Sequence, residues 1–197
     1  MHVVLIGHSF IRRLGEFMDD NRDRANLNLD PNRVTVHCFG LGGASFRAGS
    51  KCIVHYVNTV MSQLTFNPTV VFLHVGENDI MSASPNSLCD NLQSLIHQLS
   101  VVYRVPVTVV GQLLPFPVLN SPSWRSSLIA VNLALERAYR RNRKILYWKH
   151  RGGFWNPSRD LYLRDKVHLD KTGQLIYWRS VHRAVKTALE TVTSFGC

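Results

Sequence analysis

Hydrophobic positions in this chain follow two rhythms: short β-branched runs, and longer stretches with apolar residues three and four apart. Residues 2–7 (HVVLIG) form the first run, and residues 9–20 read as a helix. A polar turn over 26–32 leads to a second strand at 34–39. Ile53, Val57, Val60, Met61 and Leu64 share one helical side, so a helix is expected over 47–64. Asn67-Pro68 ends it, and the third strand follows at 69–75. Pro85 stands near the start of a helix to about 103, with Leu88, Leu92, Leu95, Ile96 and Leu99 on one side. A fourth strand is expected at 105–111, and a long helix from Ser121-Pro122-Ser123 to about 142. A short fifth strand at 144–148 and a last helix over about 172–191 complete the pattern.

Strands and helices alternate, and the strands are apolar on both sides. That combination predicts an α/β fold: a five-stranded parallel sheet between two helical layers, a three-layer α/β/α sandwich with right-handed crossovers. The 197 residues suit one compact domain over 1–197. With 45% hydrophobic and 18% charged residues, the composition argues against disorder. No apolar run approaches the roughly 20 residues that span a bilayer. The first residues lack a basic region and a cleavage site, so they read as a core strand rather than a signal peptide, of a whole protein or of a domain cut from a longer one. Cys38, Cys52, Cys89 and Cys197 have neither CxxC nor zinc-finger spacing, which predicts reduced thiols and a cytoplasmic location.

In parallel sheets the ligand site lies beyond the carboxyl ends of the strands, and four segments there carry chemistry. Ser9 follows strand one and opens a helix, where backbone N–H groups and the helix dipole favour an anion; serine is also a common helix cap. Gly40-Leu41-Gly42-Gly43 follows strand two and lets the backbone approach a ligand, as an ordinary turn would too. Gly76-Glu77-Asn78-Asp79 follows strand three; its Asn can aim an amide at a developing oxyanion or form an Asx turn. Asp165-Lys166-Val167-His168 precedes the last helix, and that spacing lets a carboxylate orient an imidazole or form a surface ion pair.

Together these segments resemble the SGNH (GDSL-like) hydrolases, whose blocks are Gly-Asp-Ser, a glycine loop, Gly-x-Asn-Asp and Asp-x-x-His. The glycine loop looks most like that of platelet-activating-factor acetylhydrolase subunits, and His168-Leu-Asp-Lys-Thr-Gly resembles the family's entry to its last helix. The resemblance implies a flavodoxin-like sheet and a serine esterase acting on small or lipid-like esters, acetyl and short acyl groups preferred. Ser9 would be the nucleophile, His168 the base and Asp165 its orienting partner. The oxyanion would be held by the Ser9 N–H, the Gly43 N–H (Gly42 as fallback) and the Asn78 side chain. No cofactor or metal is implied. A short, basic member of this kind is also compatible with a retroelement origin.

One position departs from the pattern: the family's Asp is His8 here. Neighbouring side chains at a strand end point to opposite sides. His8 is therefore not expected to replace His168, and is expected to remove a polar contact and a negative charge beside Ser9. Residues 113–117 and 152–155 are expected to flank the pocket. His37, His55, His74 and His97 read as structural, and no HxxxH or HExxH spacing supports a metal.

The net charge is +10, and Arg137, Arg140, Arg141, Arg143, Lys144, Lys149 and Arg151 form an acid-free cluster. It reads as a solvated helix end or as a contact for nucleic acid or an anionic membrane surface. That keeps a second reading open, a binding module with weak or vestigial hydrolysis. The sequence does not specify an oligomeric state.

Overall fold

In the computed structural model, which describes residues 1–119, 121–156 and 158–194, five strands form one sheet. They are β1 (His2–Gly7), β2 (Thr35–Gly40), β3 (Val70–His74), β4 (Val107–Gly111) and β5 (Ile145–Trp148). All neighbours run parallel in the order β2-β1-β3-β4-β5. Every residue of β3 and β4 is buried, as helices on both sides of a sheet require. The edge strands β2 and β5 are mostly half-buried.

The helices are α1 (Ser9–Asp19), α2 (Ile53–Gln63), α3 (Pro85–Val101), α4 (Pro122–Tyr139) and α5 (Lys171–Ser194). α1 packs with α5 on one side of the sheet, and α3 packs with α4 on the other. Local chemistry sets where α3 and α4 begin. Ser84 accepts from Ser87 N and Ser121 from Trp124 N, both at 3.2 Å, with a proline in each first turn.

The strand order turns around between β1 and β3, so their following loops diverge and leave a crevice. Gly7 lies opposite His74 in the register, and a Cβ on it would stand 2.0 Å from the His74 carbonyl oxygen. Only glycine permits that approach, which brings residue 8 against the end of β3.

The expected helix over 47–64 is shorter than its apolar spacing suggests, beginning at Ile53. Residues 46–51 are a bent loop, with Gly49 at φ +129° and a bridge between Ser45 and Cys52. The expected polar turn over 26–32 overlaps a broken 3-10 stretch, Arg22–Asn28. There Asn26 donates to Val34 O at 2.8 Å and accepts from Val36 N at 2.7 Å, fixing the entry to β2. Among the described residues, Cys38, Cys52 and Cys89 are free thiols, and no helix is long and apolar enough to cross a membrane. Cys197 lies outside the described residues.

Candidate active site

Ser9 begins α1 at the crevice and is 7% exposed. Its N–H belongs to the first helical turn and has no intrahelical acceptor. The glycine loop is fastened to the loop after β3 by two hydrogen bonds. Asn78 Nδ2 donates to Ala44 O at 2.9 Å, and Asp79 Oδ1 accepts from Phe46 N at 2.9 Å. One Asn78 amide hydrogen is thus engaged and the second is available. Gly43 has φ +74°, a left-handed conformation that favours glycine, and its N–H has no partner among the described residues. The Lys51 ammonium lies over this glycine, 3.2 Å from where a Cβ would stand.

Asp165 and His168 occupy a small hairpin closed by a Tyr162–Leu169 bridge, with Lys166 in the left-handed region. His168 Nδ1 lies 2.8 Å from Asp165 Oδ2. Asp165 Oδ1 accepts from the backbone N–H groups of Val167 and His168 at 2.9 Å. The His168 backbone N–H, then its ring, hold the Asp165 carboxyl below its ordinary range. The hairpin joins β5 to α5 and so lies at the carboxyl end of the sheet, as Ser9 does. Among the described residues His168 Nε2 has no hydrogen-bond partner, and Ser9 Oγ is not joined to it.

What Ser9 Oγ does approach is His8 Nδ1, at 3.4 Å. His8 is fully buried and caps α1, its Nδ1 accepting from Phe10 N at 3.4 Å. Its Nε2 lies 2.8 Å from Glu77 Oε2. Glu77 Oε1 lies 2.7 Å from His74 Nε2 and accepts from Leu114 N at 2.9 Å. His74 Nδ1 in turn lies 2.5 Å from the Tyr177 hydroxyl, and His74 stacks on His150 at 5.2 Å between ring centroids.

One proton arrangement satisfies this chain. An N–H donor at His8 Nδ1 leaves the ring proton on Nε2, pointing at Glu77. Tyr177 donates to His74 Nδ1, and His74 Nε2–H donates to the other carboxylate oxygen. Burial alone would push the Glu77 carboxyl up, but His74 and His8 outweigh it and hold it well below its ordinary range. Burial, opposed by Glu77, lowers His74, and burial lowers His150 further. In this arrangement the Glu77 carboxylate sits between two imidazole N–H donors, one from His8 and one from His74. Nε2 of His8, Nε2 of His74 and the Glu77 carboxylate are as close as metal ligands would be, within 4.8 Å of one another. Hydrogen bonds inside the group account for all three.

These contacts correct the expectation for His8. Strand alternation stops at Gly7, so residues 8 and 9 do not point to opposite sides. Nor is the negative charge removed: Glu77 supplies a carboxylate one residue further from the serine. Sequence reasoning missed Glu77 and Tyr177; the signal available was an ionisable residue in the variable position of the Gly-x-Asn-Asp block.

No protein family's sequence profile matches the chain, and no curated protein matches it. Solved structures do. The fold superposes on a member of the lipolytic G-D-S-L family from Veillonella parvula with a TM-score of 0.72 at 16% identity, covering 93% of this chain and 97% of that one. The chain has the GDSL hydrolase fold. A GDSL-like lipase from Bacteroides thetaiotaomicron is similar at a TM-score of 0.65 and 18% identity, over 95% of this chain and 88% of that one. A lipase from a goat rumen metagenome is similar at 0.65 and 13%, over 93% and 97%. The esterase domain of the zebrafish ZfL2-1 retrotransposon ORF1 protein aligns at 24% identity over 94% and 99%, with a TM-score of 0.46, too loose to bear on the site.

Within this GDSL fold, a cavity of about 320 Å³ lies beside the hairpin. Phe116, Trp124, Phe154, Trp155, Tyr162 and Lys166 line it, so both expected flanking segments contribute. Ser9 and His168 are not among its lining residues.

Asp79 gives a pH-dependent prediction. Burial pushes its carboxyl up to about 6, against the Phe46 N–H and Arg47. The unfolded carboxyl ionises near 3.8, so stability falls as pH rises from about 4 to about 6 and is level above that. Asp79→Asn removes this dependence. Urea unfolding should show the variant's stability relative to wild type rising by on the order of 1–2 kcal/mol between pH 4 and pH 7.5.

Proposed function

We propose that this protein is a serine esterase that hydrolyses carboxylic esters through an acyl-enzyme on Ser9. The observation that carries the reading is that Ser9, at the start of α1, and the hydrogen-bonded Asp165–His168 pair lie at the same end of the sheet. Ser9 attacks the ester carbonyl while His168 takes its proton, with Asp165 stabilising the imidazolium. The N–H groups of Ser9 and Gly43 and the Asn78 amide receive the oxyanion. His168 then protonates the leaving alcohol and activates the water that frees Ser9.

The reading takes acetyl and other short acyl groups as preferred, with the aromatic cavity beside the hairpin as the candidate site for the acyl group. Steady-state hydrolysis of p-nitrophenyl esters of increasing acyl length tests both statements. Wild type should be most active on the acetate, and Asn78→Ala should lower kcat by about 10²–10³ with little change in KM. A wild-type rate indistinguishable from buffer would sink the reading.

A second reading has one observation in its favour. Arg140, Lys149, Arg151 and, from α5, Arg183 line one groove of about 580 Å³, with Lys149 paired to Glu136 at 2.7 Å. A phosphate-bearing surface fits such a groove, and hydrolysis would then be secondary. Neutralising Arg140, Arg151 and Arg183 would weaken that binding and its salt dependence, while Ser9→Ala would leave both intact.

A further inference from the structure

We infer that His8, backed by Glu77, is a second general base for Ser9, confined to the acylation half of the reaction. The inference rests on reading Ser9 as the nucleophile. Carboxylate, imidazole and hydroxyl follow one another here in the order Glu77, His8, Ser9, at 2.8 and 3.4 Å. Asp165 and His168 present the same carboxylate–imidazole arrangement from the hairpin. His8 Nε2–H is directed at Glu77, which leaves the Nδ1 lone pair facing Ser9 Oγ. Phe10 N–H shares that lone pair at 3.4 Å, a long contact readily given up when the ring gains a proton.

As the Ser9 Oγ–carbon bond forms, the carbonyl π electrons move to the oxygen and the serine proton moves to His8 Nδ1. The resulting imidazolium is compensated by the Glu77 carboxylate. Collapse re-forms the carbonyl and breaks the bond to the leaving group. An activated leaving group such as p-nitrophenolate departs as the anion and needs no proton.

Burial limits what His8 does next. It is fully buried beneath a serine that itself is 7% exposed, so an ester approaching from solvent stays out of its reach. His8 therefore reaches neither the departing alkoxide of the ester nor the attacking water, and its proton returns to Ser9 Oγ as the acyl bond breaks in deacylation. Only His168, a quarter exposed, serves the alkoxide and the water.

Stopped-flow release of p-nitrophenol from p-nitrophenyl acetate reads this division directly. Wild type should turn over continuously. His168→Ala should release about one equivalent, then stall as acyl-enzyme. In the His168→Ala background, His8→Asn should slow that burst by about 10²-fold, the lower end of what a general base supplies. Asparagine keeps a capping side chain at the start of α1, and circular dichroism verifies folding. Should that variant not fold, Glu77→Gln in the same background is expected to slow the burst similarly, because it removes the charge that stabilises the imidazolium. A His168→Ala protein with no burst above Ser9→Ala, or bursts unchanged by both His8→Asn and Glu77→Gln, overturns the inference and leaves the esterase reading standing. A wild type without Ser9-dependent release overturns both.

Discussion

Replacing Ser9 with alanine should lower kcat for p-nitrophenyl acetate by about 10⁴–10⁶-fold, the range seen when one member of a serine triad is removed. The loss should fall on kcat rather than KM, because Ser9 forms its bond to the substrate only along the reaction path. Stability should change little. Ser9 Oγ makes one long contact, to His8 at 3.4 Å, and α1 is capped by the His8 ring rather than by Ser9. An unchanged thermal transition beside the lost activity separates a chemical role from a structural one. The residual rate would come from the oxyanion donors and binding alone.

The second large effect is on stability. Glu77→Ala removes the acceptor shared by His8 Nε2, His74 Nε2 and Leu114 N, all in the interior. Leaving buried N–H donors without an acceptor costs about 1–3 kcal/mol each, on the order of 3–5 kcal/mol here once the neighbours relax. That is a large part of the roughly 5–15 kcal/mol that stabilises a typical domain. The thermal midpoint should fall by roughly 6–20 °C, at about 2–4 °C per kcal/mol in a domain of this length. Glu77→Gln should lose less, since its carbonyl still accepts from one neighbour. Differential scanning calorimetry of the three proteins gives the comparison.

Why Glu77 escapes a reading of the sequence is a matter of distance along the chain. Ser9 at a strand-to-helix junction, and Asp165 three residues from His168, are local patterns, and backbone geometry brings them out directly. Glu77 meets His8 across 69 residues, and His74 meets Tyr177 across 103. No periodicity encodes such pairs. They follow from the strand order, which places the ends of β1 and β3 side by side and lays α5 behind them. His74 read as structural and is a buried core residue, but its partners were not legible.

The fold itself was legible because each strand had to be buried on both sides. The Val-rich runs that became β3 and β4 fit no other environment in a parallel sheet. Helix boundaries were weaker where apolar spacing was the sole guide. Arg47, Ala48, Gly49, Ser50 and Lys51 offer nothing to bury, and Gly49 turns the chain at φ +129° before α2 begins. The small hairpin that carries Asp165 and His168 also left no strand-like signature. It is held by Tyr162 OH, which donates to Pro115 O at 2.7 Å, and by Leu163 N, which donates to His168 O at 2.7 Å.

The most direct test of the central claim is to mix the wild-type protein with p-nitrophenyl acetate, quench in acid, and locate the acetyl group by peptide mass spectrometry. The expected result is one acetyl group, on Ser9, that disappears on standing in buffer and never forms in Ser9→Ala. An enzyme that hydrolyses the ester while its label sits on another residue, or persists unchanged in Ser9→Ala, would contradict the assignment of Ser9 as nucleophile.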